Sequence, residues 1–353
     1  MSGLKAAERD EEVSVSVSQL PPGRPVAHSV DELLTGVTAR EPMKGAESLS
    51  TATFERVVIG GDRFVVKYLH CDEDWIMRAT GDLTCRPALM WTSGLFDALP
   101  RCIDHTTVAV ATGLGRHGWG CALLLSDVGE HLIPDGDTVI GEGDHELLIA
   151  NMARMHAHFW GFRDPAALAP AGNRYFIFNR WLGPIEADLA SGAVVPTLVD
   201  RGYTNMADIS PRLHSLLTDL FAEPTPFLRA IEATPDTLVH SDWKLGNLGN
   251  HPDGRTIVLD WAFPGQGAAC TDLAWYLGVN CRRIPASKED TIASYRRALE
   301  AAGVATEGWW DAQLALALLG NALQQAWSKC LDGRDDEFTW WEERALDAER
   351  YLA

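Results

Sequence analysis

Residues 238–249 read LVHSDWKLGNLG, and residues 256–263 read TIVLDWAF. Apolar, strand-like residues flank a polar turn in the first segment, and the second is a short apolar strand that ends on an aspartate. Between them lies HPDG, a turn-forming tetrapeptide that folds the chain back on itself. His240, Asp242 and Asn247 have the spacing HxDxxxxN, and the fold-back returns Asp260 to the neighbourhood of Asp242 and Asn247. Two carboxylates and an amide are therefore expected to meet at one loop.

Such a set suits phosphoryl transfer from ATP with magnesium. Asp242 is placed to accept or orient the proton of an attacking hydroxyl, and Asn247 and Asp260 are hard oxygen ligands for Mg²⁺ bridging phosphates. Magnesium keeps several waters, so two protein ligands suffice. Lys244 is within reach of the transferred group, where developing charge has to be stabilised. Clustered carboxylates with an asparagine also serve metal-dependent hydrolysis, and that class stays open on these residues alone.

Working outward, TATFERVVIGGDRFVVKYL alternates apolar and polar residues on both sides of Gly60–Gly61–Asp62, which predicts a β-hairpin with Lys67 near the end of its second strand. TVAVATGL and CALLLSDVG read as two more strands, and residues 82–100 as helical or irregular. From GDHELLIANMARMHAHFWGF onward the apolar spacing is mostly helical, interrupted by the 238–263 segment. The expected organisation is a tail over 1–28, a sheet-containing nucleotide-binding lobe over 29–127, with Ser29 capping a short helix, and a helical lobe over 128–353 that carries the catalytic loop and the acceptor site.

LVHSDWKLGNLG followed by IVLDWAF resembles the catalytic loop and metal-binding segment of the aminoglycoside phosphotransferase and choline kinase superfamily, relatives of the protein kinases. There the first motif usually reads HGDxxxxN and the second DW or DF. The resemblance is specific over 238–275 and loose over about 30–350. It implies an α+β, protein-kinase-like bilobal fold with ATP between a small β-rich lobe and a larger helical one. It makes Asp242 the catalytic base, Asn247 and Asp260 the metal ligands, and Lys67 the partner of the ATP phosphates.

The resemblance also makes LLLSDVG the hinge, whose backbone around Leu125–Asp127 would hold adenine. ARMHA is similar to the family's helix ending in LHA, and Asp272 in TDLAW to the aspartate that braces the catalytic loop, a bracing role His240 shares. The family's acceptor lies against the helical lobe, which points to Gln324 and Trp327 as pocket residues. Ser241 departs from the usual glycine, and Lys244 stands where these enzymes often carry histidine and protein kinases carry lysine. KGAESLSTATF, around Gly45, Ser48 and Ser50, is the segment for the phosphate-covering loop, and Asp82 is the acid offered to Lys67.

Composition narrows the rest. The 353 residues, 46% hydrophobic, are enough for a large two-lobed core. A net charge of −19 argues against nucleic acid as a partner, and it favours a cationic small molecule near an acidic cleft. No apolar run of membrane-spanning length and no apolar signal core is present, so a soluble, non-exported, cytoplasmic protein without a membrane partner is expected. Seven scattered cysteines with no CxxC pair suggest neither a disulfide framework nor a zinc ribbon. His156 and His158 form an HxH pair read as helix packing, since no third metal ligand is near them in sequence.

The expectation is an ATP- and Mg²⁺-dependent phosphotransferase acting on a small-molecule hydroxyl, an aminoglycoside or other cationic antibiotic or an amino sugar. Its alternatives are a kinase for a neutral sugar or choline-like alcohol and a nucleotide-binding pseudokinase with a regulatory role.

Overall fold

In the computed structural model, which describes residues 20–43 and 52–352, the chain is docked before Ser29. Residues 24–28 were expected to end a tail; instead Ala27 bonds to Val110 and Thr112 through its backbone, and Arg24 forms an ion pair with Asp97. The hydroxyl of Ser29 then caps α1 (Val30–Leu33), accepting from the Glu32 amide at 3.1 Å. The expected phosphate-covering segment around Gly45, Ser48 and Ser50 lies outside the described residues.

Five antiparallel strands follow: β1 (Val37–Met43), β2 (Thr53–Ile59), β3 (Asp62–His70), β5 (Thr107–Leu114) and β6 (Gly120–Ser126), ordered β1-β2-β3-β6-β5. Gly60 and Gly61, at φ +63° and +97°, form the two-residue turn between β2 and β3, a conformation that side chains resist. Period-two alternation then sorts the sheet's faces. Val66, Ala122 and Leu124 pack with Leu33 and Leu34 of α1, whereas Val65, Lys67, Leu69 and Leu125 face the cleft. The sequence did not reveal β1, an exposed edge strand held by its pairing with β2 and by an Arg40–Glu55 ion pair at 2.6 Å. Two short helices, α2 (Trp75–Ala79) and α3 (Arg86–Thr92), and the two-residue strand β4 (Ile103–Asp104) interrupt the sheet order.

The second lobe is helical: α4 (Glu142–His158), α5 (Ala171–Tyr175), α6 (Leu182–Asp188), α7 (Val194–Ile209), α8 (Pro211–Ala222) and α9 (Thr225–Glu232) precede the 238–263 segment. After it come α10 (Cys270–Val279), α11 (Lys288–Ala301), α12 (Trp310–Lys329) and α13 (Asp336–Asp347). The α+β, two-lobed arrangement is thus the one expected. Among the described residues no helix is long and apolar enough to cross a membrane, and all seven cysteines are free thiols.

Two small sheets hold the 238–263 segment. HPDG turns β8 (Leu248–Asn250) into β9 (Thr256–Val258), the fold-back read from the sequence. The strand before the loop, β7 (Asp236–Val239), does not join that hairpin; it pairs with β10 (Gly265–Ala268). The loop therefore hangs between two anchored strands. β4, from the first lobe, pairs in parallel with β9 and so links the lobes at one edge.

Candidate active site

Lys67 enters the cleft because β3 alternates, and it is only 6% exposed. Its Nζ lies 2.7 Å from Oδ1 of Asp260, so residues 193 positions apart form an ion pair across the lobes. Burial alone would push the Asp260 carboxyl up, but Lys67 and Lys244 together hold it below the usual carboxylate range. The backbone delivers Asp260 there: the Leu259 amide donates to the Asn247 carbonyl at 2.8 Å, fixing the end of β9 beside the loop.

Asp242 and Asn247 are tied to each other. Both N–H groups of the Asn247 amide go to Asp242, one to its carbonyl at 3.1 Å and one to Oδ2 at 2.8 Å, which leaves the amide oxygen as the end for another partner. Lys244 Nζ lies 3.0 Å from the same Oδ2. On Oδ1, the indole N–H of Trp275 donates at 2.9 Å.

The loop's backbone is held by acids and imidazoles beneath it. Asp272, fully buried, accepts from the His240 amide at 2.8 Å and the Ser241 amide at 2.6 Å, and His156 Nε2 lies 3.0 Å from it. Burial would raise the Asp272 carboxyl; the His156 contact and the loop amides outweigh that and lower it. His156 is held in turn by the Tyr295 hydroxyl at 2.6 Å, and His158 reaches the Ala98 carbonyl, so the HxH pair packs a helix. His240 accepts from the Asp242 amide at Nδ1, so Nε2 carries its proton toward the Leu259 carbonyl 3.0 Å away. Burial pushes this imidazole below its ordinary range, and the neutral ring joins the two halves of the motif.

Ser241 and Asp260 lie at φ +65° and +58°, left-handed positions that are strained for side chains. This accounts for the glycine usual at position 241 in the resembling family. The buried Ser241 hydroxyl finds no hydrogen-bond partner among the described residues. Ser241→Gly is expected to stabilise the protein by about 1 kcal/mol. Relief of backbone strain and of the unpaired hydroxyl exceeds glycine's extra unfolded-state entropy. Urea unfolding of the two proteins measures the difference.

Lys67, Asp242, Lys244, Asn247 and Asp260 line a cavity of about 250 Å³ between the sheet's inner face and the loop, together with Leu125, Asp127, Phe54, Asp74 and Asp82. Leu125 and Asp127 are among its lining residues; the Asp127 amide donates to the Arg63 carbonyl at 3.3 Å, and its carboxylate pairs with Arg56 at 3.0 Å. Asp82 is not the partner of Lys67. Its carboxylate accepts from the amide of Arg86, the first residue of α3, at 3.0 Å and from the Thr84 amide at 3.2 Å. Asp74, which the sequence did not single out, caps α2 and lines the cleft, with burial raising its carboxyl against the pull of Lys67.

Gln324 and Trp327, offered for an acceptor pocket, are both buried: the Trp327 indole donates to the Gln324 carbonyl and its ring packs on Phe178. They do not line this cavity. Their turn of α12 is rotated inward, and an apolar face with two glutamines gives no sign of that in sequence. Trp275 had a signal, since it follows Asp272 by three residues and so lies one turn along the same helix face.

Among the described residues no three His, Cys, Asp or Glu side chains converge as a metal cage. The oxygens of Asp260 and Asn247 fit a hard divalent cation that shares its coordination with phosphates and water.

No protein-family model matches the chain, and no curated protein does. Solved structures do. The choline kinase LicA from Streptococcus pneumoniae aligns over 91% of this chain and 95% of its own at 12% identity, TM-score 0.45. A microcompartment-associated aminopropanol kinase aligns over 89% and 92% at 16% identity, TM-score 0.48. A thermostable mutant of aminoglycoside phosphotransferase APH(4)-Ia, in a ternary complex with ADP and hygromycin B, aligns over 91% and 97% at 15% identity, TM-score 0.44.

Proposed function

We propose that this protein is a phosphotransferase that uses ATP with magnesium to phosphorylate a hydroxyl group of a small molecule. The observation that carries the reading is the meeting of Lys67, Asp242, Lys244, Asn247 and Asp260, from both lobes, at one cleft. Lys67 neutralises phosphate charge on the sheet side, and the adenine lies against Leu125–Asp127. Asn247 and Asp260 would hold Mg²⁺, which when bound would supply positive charge against the phosphates. Asp242 takes the proton as the acceptor oxygen bonds to the γ-phosphorus. The bond to the β,γ-bridging oxygen breaks, and ADP leaves with that electron pair. Lys244 stands beside the moving group.

The acceptor we favour is a polyhydroxylated amine, such as an aminoglycoside, another cationic antibiotic or an amino sugar. The net charge of −19 supports it by raising the local concentration of cations. Neutral sugars and choline-like alcohols are the alternative acceptors. Lys67, Asp242, Asn247 and Asp260 all being present argues against a pseudokinase.

The test is ADP release from Mg·ATP with a panel of aminoglycosides, peptide antibiotics, amino sugars, neutral sugars and choline. Acceptor-dependent release by the wild type, lost in Asp260→Ala, is the expected result. ATP binding without turnover on any acceptor would leave the pseudokinase, and no nucleotide binding would sink both.

A further inference from the structure

Asp242 carries donors of different kinds on its two oxygens. Oδ2 faces Asn247 at 2.8 Å and Lys244 at 3.0 Å, both groups with a second task in phosphoryl transfer. Oδ1 receives the neutral indole N–H of Trp275 at 2.9 Å. An ammonium attracted by phosphate can leave a carboxylate. An indole N–H has no charge to be drawn away, and its ring is fixed by the helix beneath it.

That helix is already the loop's anchor. Asp272 and Trp275 stand one turn apart on α10, the first holding the backbone of residues 240 and 241 and the second the side chain of residue 242. The other residues of α10 from Cys270 to Gly278 are buried, whereas Trp275 is half-exposed, at the face that meets the loop. We infer that Trp275 is a positioning residue for phosphoryl transfer: its indole N–H fixes the rotamer of Asp242 so that the carboxylate meets the acceptor hydroxyl. The inference rests on the function proposed above.

A tenfold change in rate corresponds to about 1.4 kcal/mol. Trp275→Phe keeps the ring and loses the donor. In the full chain it should lower kcat roughly tenfold or more, with KM for ATP within about twofold and the melting curve unchanged. Trp309→Phe, which removes an indole bond to the Ala305 carbonyl away from the site, should leave kcat as it is.

The bond itself is read without turnover, by ¹⁵N-tryptophan labelling. The indole resonance missing from Trp275→Phe should shift in Asp242→Ala. An unmoved resonance, an unchanged kcat in Trp275→Phe, or equal losses in kcat and ATP affinity with a lowered melting point would each overturn the inference. A wild type that turns over no acceptor while the resonance does shift would instead sink the kinase reading, and the positioning role with it, but not the bond.

Discussion

Asp242→Asn is expected to lose acceptor-dependent ADP release while unfolding close to the wild-type temperature. General-base help contributes about 10²- to 10⁴-fold, and an amide of the same size has no basicity to supply it. The fold has little to lose. An asparagine carbonyl at this position still accepts from Trp275 or Asn247, and the backbone bonds of the loop run through Asp272 and His240, not through this side chain. Initial rates with the acceptor identified by the panel, alongside a thermal melt, decide it. A variant that keeps more than about a tenth of wild-type turnover would remove Asp242 from the role of base.

Asp272→Ala is expected to behave in the opposite way, failing first in stability. The carboxylate is fully buried and receives the His240 and Ser241 amides, with His156 against it, so removing it strands several buried polar groups at once. Breaking a buried pair on one side costs about 3–5 kcal/mol, which for a chain of this size lowers the melting temperature by something on the order of 10 °C. Because the carboxyl is held below its ordinary range, this contribution is present above about pH 4 and fades as pH falls through the lowered value. The gap between wild type and variant should therefore close in acid. A constant gap from neutral to acid pH would mean that Asp272 acts only by filling space.

What could be read in advance follows the range of the interactions involved. The β2–β3 hairpin is a local device, two glycines between alternating strands, and it places Lys67 with no other information. The β8–β9 fold-back is local as well, and it brings Asp260 to Asn247. The partner of β7 is not local: it pairs with a glycine-rich segment beyond the motif, whose sequence has no strand character. Helix rotation was the other blind spot. The α12 glutamine and tryptophan were expected at the acceptor pocket and turn inward, while the Trp275 contact with Asp242 depends on how α10 is seated by Asp272. Asp74 gave no sign in sequence of lining the cleft, and only the starts of α2 and α3 show that Asp74 caps the one while Asp82 accepts from the first amide of the other.

The parallel pairing of β4 with β9 has a mechanical consequence. The bond from the Thr256 amide to the Cys102 carbonyl, the His251–Asp104 hydrogen bond and the Asp104–Arg255 ion pair pin one side of the sheet lobe to the strand that leads to Asp260. Other links between the lobes, the Lys67–Asp260 and Arg78–Glu186 ion pairs and the Asn173 bond to the Thr80 carbonyl, run through side chains rather than through paired strands. Displacing β4 would therefore carry with it the strand that leads to Asp260.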